Sequence, residues 1–129
     1  MSEAKERKKR ILVVDDEELL TRTFTLLLER NGYEVFVAKN GIDALAMVED
    51  ENFDLIICDI RMPGKNGVEL IKAIQDLMAS NKKQQLPVIF ITGFADDQIE
   101  KQAKELKPIA YLFKPFDVKE LIEVVSSTV

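Results

Sequence analysis

The 129-residue sequence contains no histidine and a single cysteine, so it has no His–Cys cluster of the kind that holds zinc. Cys58 cannot close an internal disulfide, which fits a reducing compartment; inside a buried strand it acts as a small core hydrophobe. No apolar run approaches the roughly 20 residues that span a bilayer, and nothing resembles a signal peptide. A cytoplasmic protein without membrane association is expected. A G-x-G-x-x-G fingerprint is missing, and Gly64-Lys65-Asn66-Gly67 lacks P-loop spacing, which argues against nucleotide binding. There are no repeats, no low-complexity segments, no basic recognition helix and no second core, so direct DNA binding is not expected.

What is present is an ordinary soluble composition, 47% hydrophobic and 32% charged, in a chain the size of one domain. The net charge of −5 is unevenly spread. Residues 1–10 carry five basic and two acidic side chains and read as a basic, flexible, solvated N-terminal tail. Residues 11–129, read as the folded domain, hold a net −8, which opposes non-specific nucleic-acid binding.

Leu55-Ile56-Ile57-Cys58 reads as a strand buried on both faces; it ends at Asp59, after which Pro63 and Gly64 turn the chain. Ile11–Val14 is a similar run ending in Asp15-Asp16-Glu17, and a helix follows with Leu20, Phe24, Leu27 and Leu28 on one face. Asn31-Gly32 stops that helix. Tyr33–Ala38 reads as a strand, and Ile42, Ala44, Leu45 and Val48 as the buried stripe of the next helix. Val68, Ile71, Ile74, Leu77 and Met78 trace a third helix. Val88–Ile91 forms a strand ending at Thr92-Gly93. Asp96 and Asp97 suit a helix N-terminus, and the helix they open has only a thin stripe, Ile99, Ala103 and Leu106. Ala110–Phe113 is the last strand, closed by Lys114-Pro115, and Asp117 caps a final helix packing through Val118, Leu121, Ile122 and Val125.

Five strands alternating with five helices imply an α/β fold: a parallel sheet with helices on both faces and right-handed crossovers. Ligands of such sheets bind beyond the carboxyl ends of the strands, at a topological switch point. Asp15, Asp16, Asp59, Thr92 and Lys114 all fall there. Singly, each has a plainer use as a cap, a turn or a surface ion pair. Together they put three carboxylates, a hydroxyl and an ammonium at one sheet edge. Close carboxylates repel unless a cation sits among them, and oxygen donors suit Mg²⁺. Asp59 beside such a cation is a nucleophile suited to phosphoryl transfer, with Lys114 and Thr92 on the phosphoryl oxygens. Gly93 leaves room for the backbone to approach an oxyanion.

The segments Val13-Val14-Asp15-Asp16-Glu17, Ile57–Gly64, Ile91-Thr92-Gly93 and Lys114-Pro115 resemble the receiver domain of two-component response regulators, of the chemotaxis-regulator type. The resemblance implies a flavodoxin-like five-stranded sheet of order 2-1-3-4-5. It implies that Asp59 is the phosphoacceptor, and that Asp16, Asp59 and the main-chain carbonyl of Arg61 bind Mg²⁺, with Asp15 acting through water. It implies contacts from Thr92 and Lys114 to the phosphoryl group, a cis peptide before Pro115, and a switch pairing Thr92 with Tyr111. That switch would reshape the face of the fourth helix, fifth strand and fifth helix. The function implied is a phosphorelay switch with only self-catalysed phosphoacceptance and slow dephosphorylation. Since the chain has no histidine, its phosphohistidine donor is another protein, a histidine kinase or phosphotransfer domain. Its output is either a separate protein target or an output domain outside this chain.

Arg61 and Phe94 depart from what many receivers carry. Both should flank the site and hinder the hydrolytic water, slowing dephosphorylation. Two other readings are weighed. A Mg²⁺-dependent aspartyl phosphatase of the haloacid dehalogenase type would place D-x-D after the first strand, where this chain has Asp15-Asp16-Glu17, and it would have a cap segment. A docking pseudo-receiver would not need the full acidic set with Thr92 and Lys114.

Overall fold

The computed structural model describes residues 7–61, 66–93 and 96–129. The elements alternate as β1 (Arg10–Val14), α1 (Glu18–Arg30), β2 (Glu34–Ala38), α2 (Gly41–Asp50), β3 (Leu55–Asp59), α3 (Gly67–Ser80), β4 (Val88–Thr92), α4 (Asp97–Glu105), β5 (Ala110–Phe113) and α5 (Val118–Thr128). The strands form one parallel sheet in the order β2-β1-β3-β4-β5, as expected. The central strands β3 and β4 are buried at every residue, which is why their sequences run apolar without alternation.

Each strand sends alternate residues to opposite faces. Leu12, Val14, Ile56, Cys58, Val88 and Phe90 pack with residues of α2, α3 and α4. Ile11, Val13, Leu55, Ile57, Ile89, Ile91 and Leu112 pack with residues of α1 and α5. Two helical layers thus close over one sheet, leaving its C-terminal edge for chemistry.

Local signals set most boundaries. Gly32, at a φ of 92°, ends α1 in the left-handed region. Asn66 and Glu69 form a reciprocal capping box that starts α3. Asp96 accepts from Gln98 and Ile99 at the start of α4, and Asp117 from Lys119 at the start of α5.

Two sequence expectations need correction. Ile42 is not part of the buried stripe of α2; it is 82% exposed, while Gly41, Ala44 and Val48 face the sheet. At about 100° per residue Ile42 lies well over 90° round the helix from that buried line. Arg10 is not in a solvated tail but opens β1. Its guanidinium lies 4.5 Å from the Phe36 ring centroid, pairs with Glu34 and Glu51, and donates to the Asn52 carbonyl. The start of β1 is therefore held at the sheet edge remote from the acidic loops.

Gly67 shows how tightly α3 abuts β3. A Cβ there would stand 2.4 Å from the Asp59 carbonyl oxygen and 2.9 Å from the Ile60 Cα. Only glycine lets the helix begin against the backbone that carries Asp59, and its N–H donates to the Ile60 carbonyl at 2.7 Å.

Candidate functional site

Strand register brings the site together. Val14 pairs with Cys58, so Asp15 and Asp59 emerge side by side where β1 and β3 end, at the point where strand order reverses. Asp59 pairs with Ile91, and Thr92 with Phe113, which places Thr92 and Lys114 one step along at the ends of β4 and β5. The Lys114 N–H donates to the Thr92 carbonyl at 2.7 Å, tying the two loops. The Lys114–Pro115 peptide is cis, as the sequence leads one to expect.

Lys114 is the hub. Its ammonium donates to Glu17 Oε1 at 2.8 Å, to Asp59 Oδ2 at 3.1 Å and to Asp15 Oδ2 at 3.4 Å. Asp15 and Asp59 are buried, Lys114 nearly so, and Glu17 stands at the mouth. The other oxygen of Asp59 accepts the Arg61 N–H at 3.2 Å, and the other oxygen of Asp15 accepts the Glu17 N–H at 2.9 Å. Both loops are thus wound around the carboxylates they present. Thr92 is buried at the end of β4.

The electrostatics follow from burial. Desolvation, with a contribution from the Asp59 charge, pushes the Asp15 carboxyl up to about 6, against the pull of the Glu17 N–H and Lys114. Partial burial works against the Lys114 ammonium. The Glu17 hydrogen bond and the charges of Asp15 and Asp59 outweigh it and hold the group above its ordinary value. Burial pushes the Cys58 thiol up, with Asp59 and Asp15 adding to it, so this thiol is inert.

One ammonium does not balance three carboxylates. Oxygens of Asp15, Glu17 and Asp59 lie within 4.8 Å of one another, a hard-donor set that fits a divalent cation such as Mg²⁺. The sequence reading named Asp16 rather than Glu17. Asp16 is exposed and is not in this trio. Glu17 stands in the trio in its place, and the sequence signal for it is a third acid after Asp15-Asp16 with a longer reach into the same loop.

Of the remaining expected residues, Arg61 is exposed beside the site and touches it through its N–H. Phe94 lies outside the described residues, as do Met62, Pro63, Gly64 and Lys65. Tyr111 is half-buried on β5, with ring centroids 6.4 Å from Phe90 and 5.3 Å from Phe113. Burial raises its phenol pKa, and Glu100 and Asp96 on and before α4 raise it further, so its ring feels that helix. Within α4 only Ala103 is fully buried.

Fold and site define a class: a doubly wound α/β domain that presents two buried aspartates and a lysine at its switch point. Comparison with known proteins agrees. A family model described as "Response regulator receiver domain" matches residues 11–126, and the chain belongs to that family, the receivers of two-component signalling. It is 40% identical over 115 residues to the transcriptional regulatory protein CrdR of Helicobacter pylori, covering 88% of this chain and 52% of that one. It is 34% identical over 119 residues to the polar-differentiation response regulator DivK of Brucella anthropi, covering 92% and 94%. The chain therefore spans about half the length of the first relative and nearly all of the second. A solved Vibrio cholerae chemotaxis protein, CheY4, superposes with a TM-score of 0.83 at 27% identity, covering 95% of this chain and 100% of that one. A response regulator receiver protein from Pseudomonas putida gives 0.86 at 25% identity, covering 94% and 98%. Among the described residues no helix is long and apolar enough to cross a membrane.

Proposed function

We propose that the chain is a phosphorylation-controlled switch whose acceptor is Asp59. The observation that carries the reading is the single ammonium of Lys114 bonded at once to Asp59 and Asp15, from loops 55 and 99 residues away in sequence. Asp59 and Asp16, with the Arg61 carbonyl and with Asp15 through water, are the residues we assign to Mg²⁺. Held by these residues, the ion would supply neutralisation of carboxylate charge and Lewis acidity toward the phosphoryl group. In the transfer an Asp59 oxygen attacks phosphorus, the O–P bond forms, and the P–N bond of a phosphohistidine on a partner kinase or phosphotransfer domain breaks. The electron pair leaves with the imidazole. Lys114 and the Thr92 hydroxyl stabilise charge on the phosphoryl oxygens. Hydrolysis reverses the modification, as water attacks phosphorus and the Asp59 carboxylate is restored.

The output follows from Thr92 and Tyr111. Movement of the Thr92 hydroxyl toward the phosphoryl group vacates space into which the Tyr111 ring turns, and α4, anchored mainly by Ala103, adjusts with it. The reshaped face of α4, β5 and α5 engages a cytoplasmic protein target or an output domain. The chain acts by stoichiometric modification rather than turnover. Incubation with Mg²⁺ and acetyl phosphate, followed by intact-mass measurement, should add one phosphoryl group to the wild type and none to Asp59→Ala. Continuous release of phosphate from small esters would instead show a phosphatase, and no mass change a docking module. Asp16→Asn should weaken Mg²⁺ binding, measured calorimetrically; unchanged affinity would leave Glu17 as the ligand instead. Arg61→Ala and Phe94→Ala should each shorten the phosphoryl lifetime.

A further inference from the structure

Glu17 sits at the N-cap position of α1, yet its side chain makes no cap hydrogen bond. Its backbone is held at both ends, the N–H by Asp15 Oδ1 and the carbonyl by the Thr21 N–H at 3.0 Å. The carboxylate so aimed takes the shortest of the three Lys114 hydrogen bonds, although it is 62% exposed. An ammonium has three donors, and Glu17, Asp59 and Asp15 use all of them.

We infer that Glu17 is a positioning residue that holds Lys114 in its resting place and thereby raises the threshold for phosphorylation of Asp59. This rests on the phosphoacceptor reading. When a phosphoryl group occupies Asp59, Lys114 must turn a donor to it. Glu17 is by far the most exposed of its three acceptors, so this is the bond given up. Its carboxylate then remains within 4.8 Å of the modified aspartate, opposite a group carrying roughly −1.5 to −2 charges. The lost bond and the new repulsion act in the same direction. Both favour the unmodified state, and both vanish when Glu17 loses its charge.

The test uses the full chain in Mg²⁺ titrated with beryllofluoride, which coordinates a carboxylate oxygen as a phosphoryl group does, followed by amide NMR shifts in β5. Glu17→Gln should reach half-saturation at about five-fold lower beryllofluoride, the scale of one exposed ion pair. Glu17→Asp keeps the charge but falls a methylene short of Lys114, and should move the same way by less. It also carries the test should Glu17→Gln fail to fold. Glu18→Gln removes a neighbouring charge that pairs with Lys39 instead, and should match the wild type. If the wild type saturates and Glu17→Gln does so no more readily, the inference is overturned. Equal shifts in Glu17→Gln and Glu18→Gln would overturn it too, since they reduce the effect to general charge. A wild type that does not respond at all would overturn the phosphoacceptor reading instead.

Discussion

Asp15 is the residue whose replacement exposes the electrostatics of the site most cleanly. It is fully buried, and its carboxyl is raised from an ordinary 3.8 to about 6 by burial first, with the Asp59 charge contributing. A carboxyl that binds its proton more tightly when folded favours folding at low pH. That contribution is lost as pH rises from about 3.8 through about 6, and above it the ionised group opposes folding. The shift corresponds to at most about 3 kcal/mol at neutral pH, at roughly 1.4 kcal/mol per unit. Asp15→Asn preserves volume and an acceptor for the Glu17 N–H but gives up attraction to Lys114 at 3.4 Å. We expect a net gain of about 1–2 kcal/mol in metal-free buffer at pH 7.5. With a urea m-value of about 2 kcal/mol/M, the midpoint should rise by roughly half to one molar. The advantage of the variant should grow between pH 4 and 6.5 and then level off. Saturating Mg²⁺ should stabilise the wild type more than the variant and shrink the gap. A pH-independent difference, or a variant less stable than the wild type at pH 7.5 without metal, would show that the buried Asp15 charge does not oppose folding.

Other substitutions probe the scaffold. Gly67→Ala drives a methyl into the Asp59 carbonyl and the Ile60 Cα, neither of which is a flexible side-chain end. It should destabilise by about 3 kcal/mol in urea unfolding and impair Asp59 phosphorylation, and a loss below roughly 1 kcal/mol would show that α3 can slide away. Asn66→Ala removes one half of the capping box and should lower stability by about 1 kcal/mol, seen as a lower thermal midpoint. Ile42→Gln should leave the midpoint essentially unchanged, since the side chain is outside the core.

Much of this architecture was legible because burial on both faces writes itself into a strand. Leu55–Cys58 and Val88–Ile91 have no polar position, and the carboxylate or hydroxyl that ends each run is where the sheet meets the site. Lys114 and Asp59 could be joined from sequence because parallel strands deliver all their C-termini to one edge. Periodicity was less informative for short helices. The spacing of Ile42, Leu45 and Val48 is helical, yet a three-residue step drifts by about 60° each time, and the first member ends up facing solvent. Side-chain reach was not legible at all. Arg10 looks like the last member of a basic tail until Phe36, Glu34 and Glu51 arrive from other elements to receive it. Glu17 looks like a helix-opening acid, and only the path of Lys114 reveals where its carboxylate goes.

Whether an oxygen of Asp59 takes the phosphoryl group is read out by reductive trapping. After treatment with acetyl phosphate and Mg²⁺, borohydride converts an aspartyl phosphate to homoserine, which peptide mass mapping locates. Homoserine is expected at position 59 alone. Homoserine at Asp15 or Asp16, or a phosphoryl group retained on a hydroxyl after reduction, would contradict Asp59 as the acceptor.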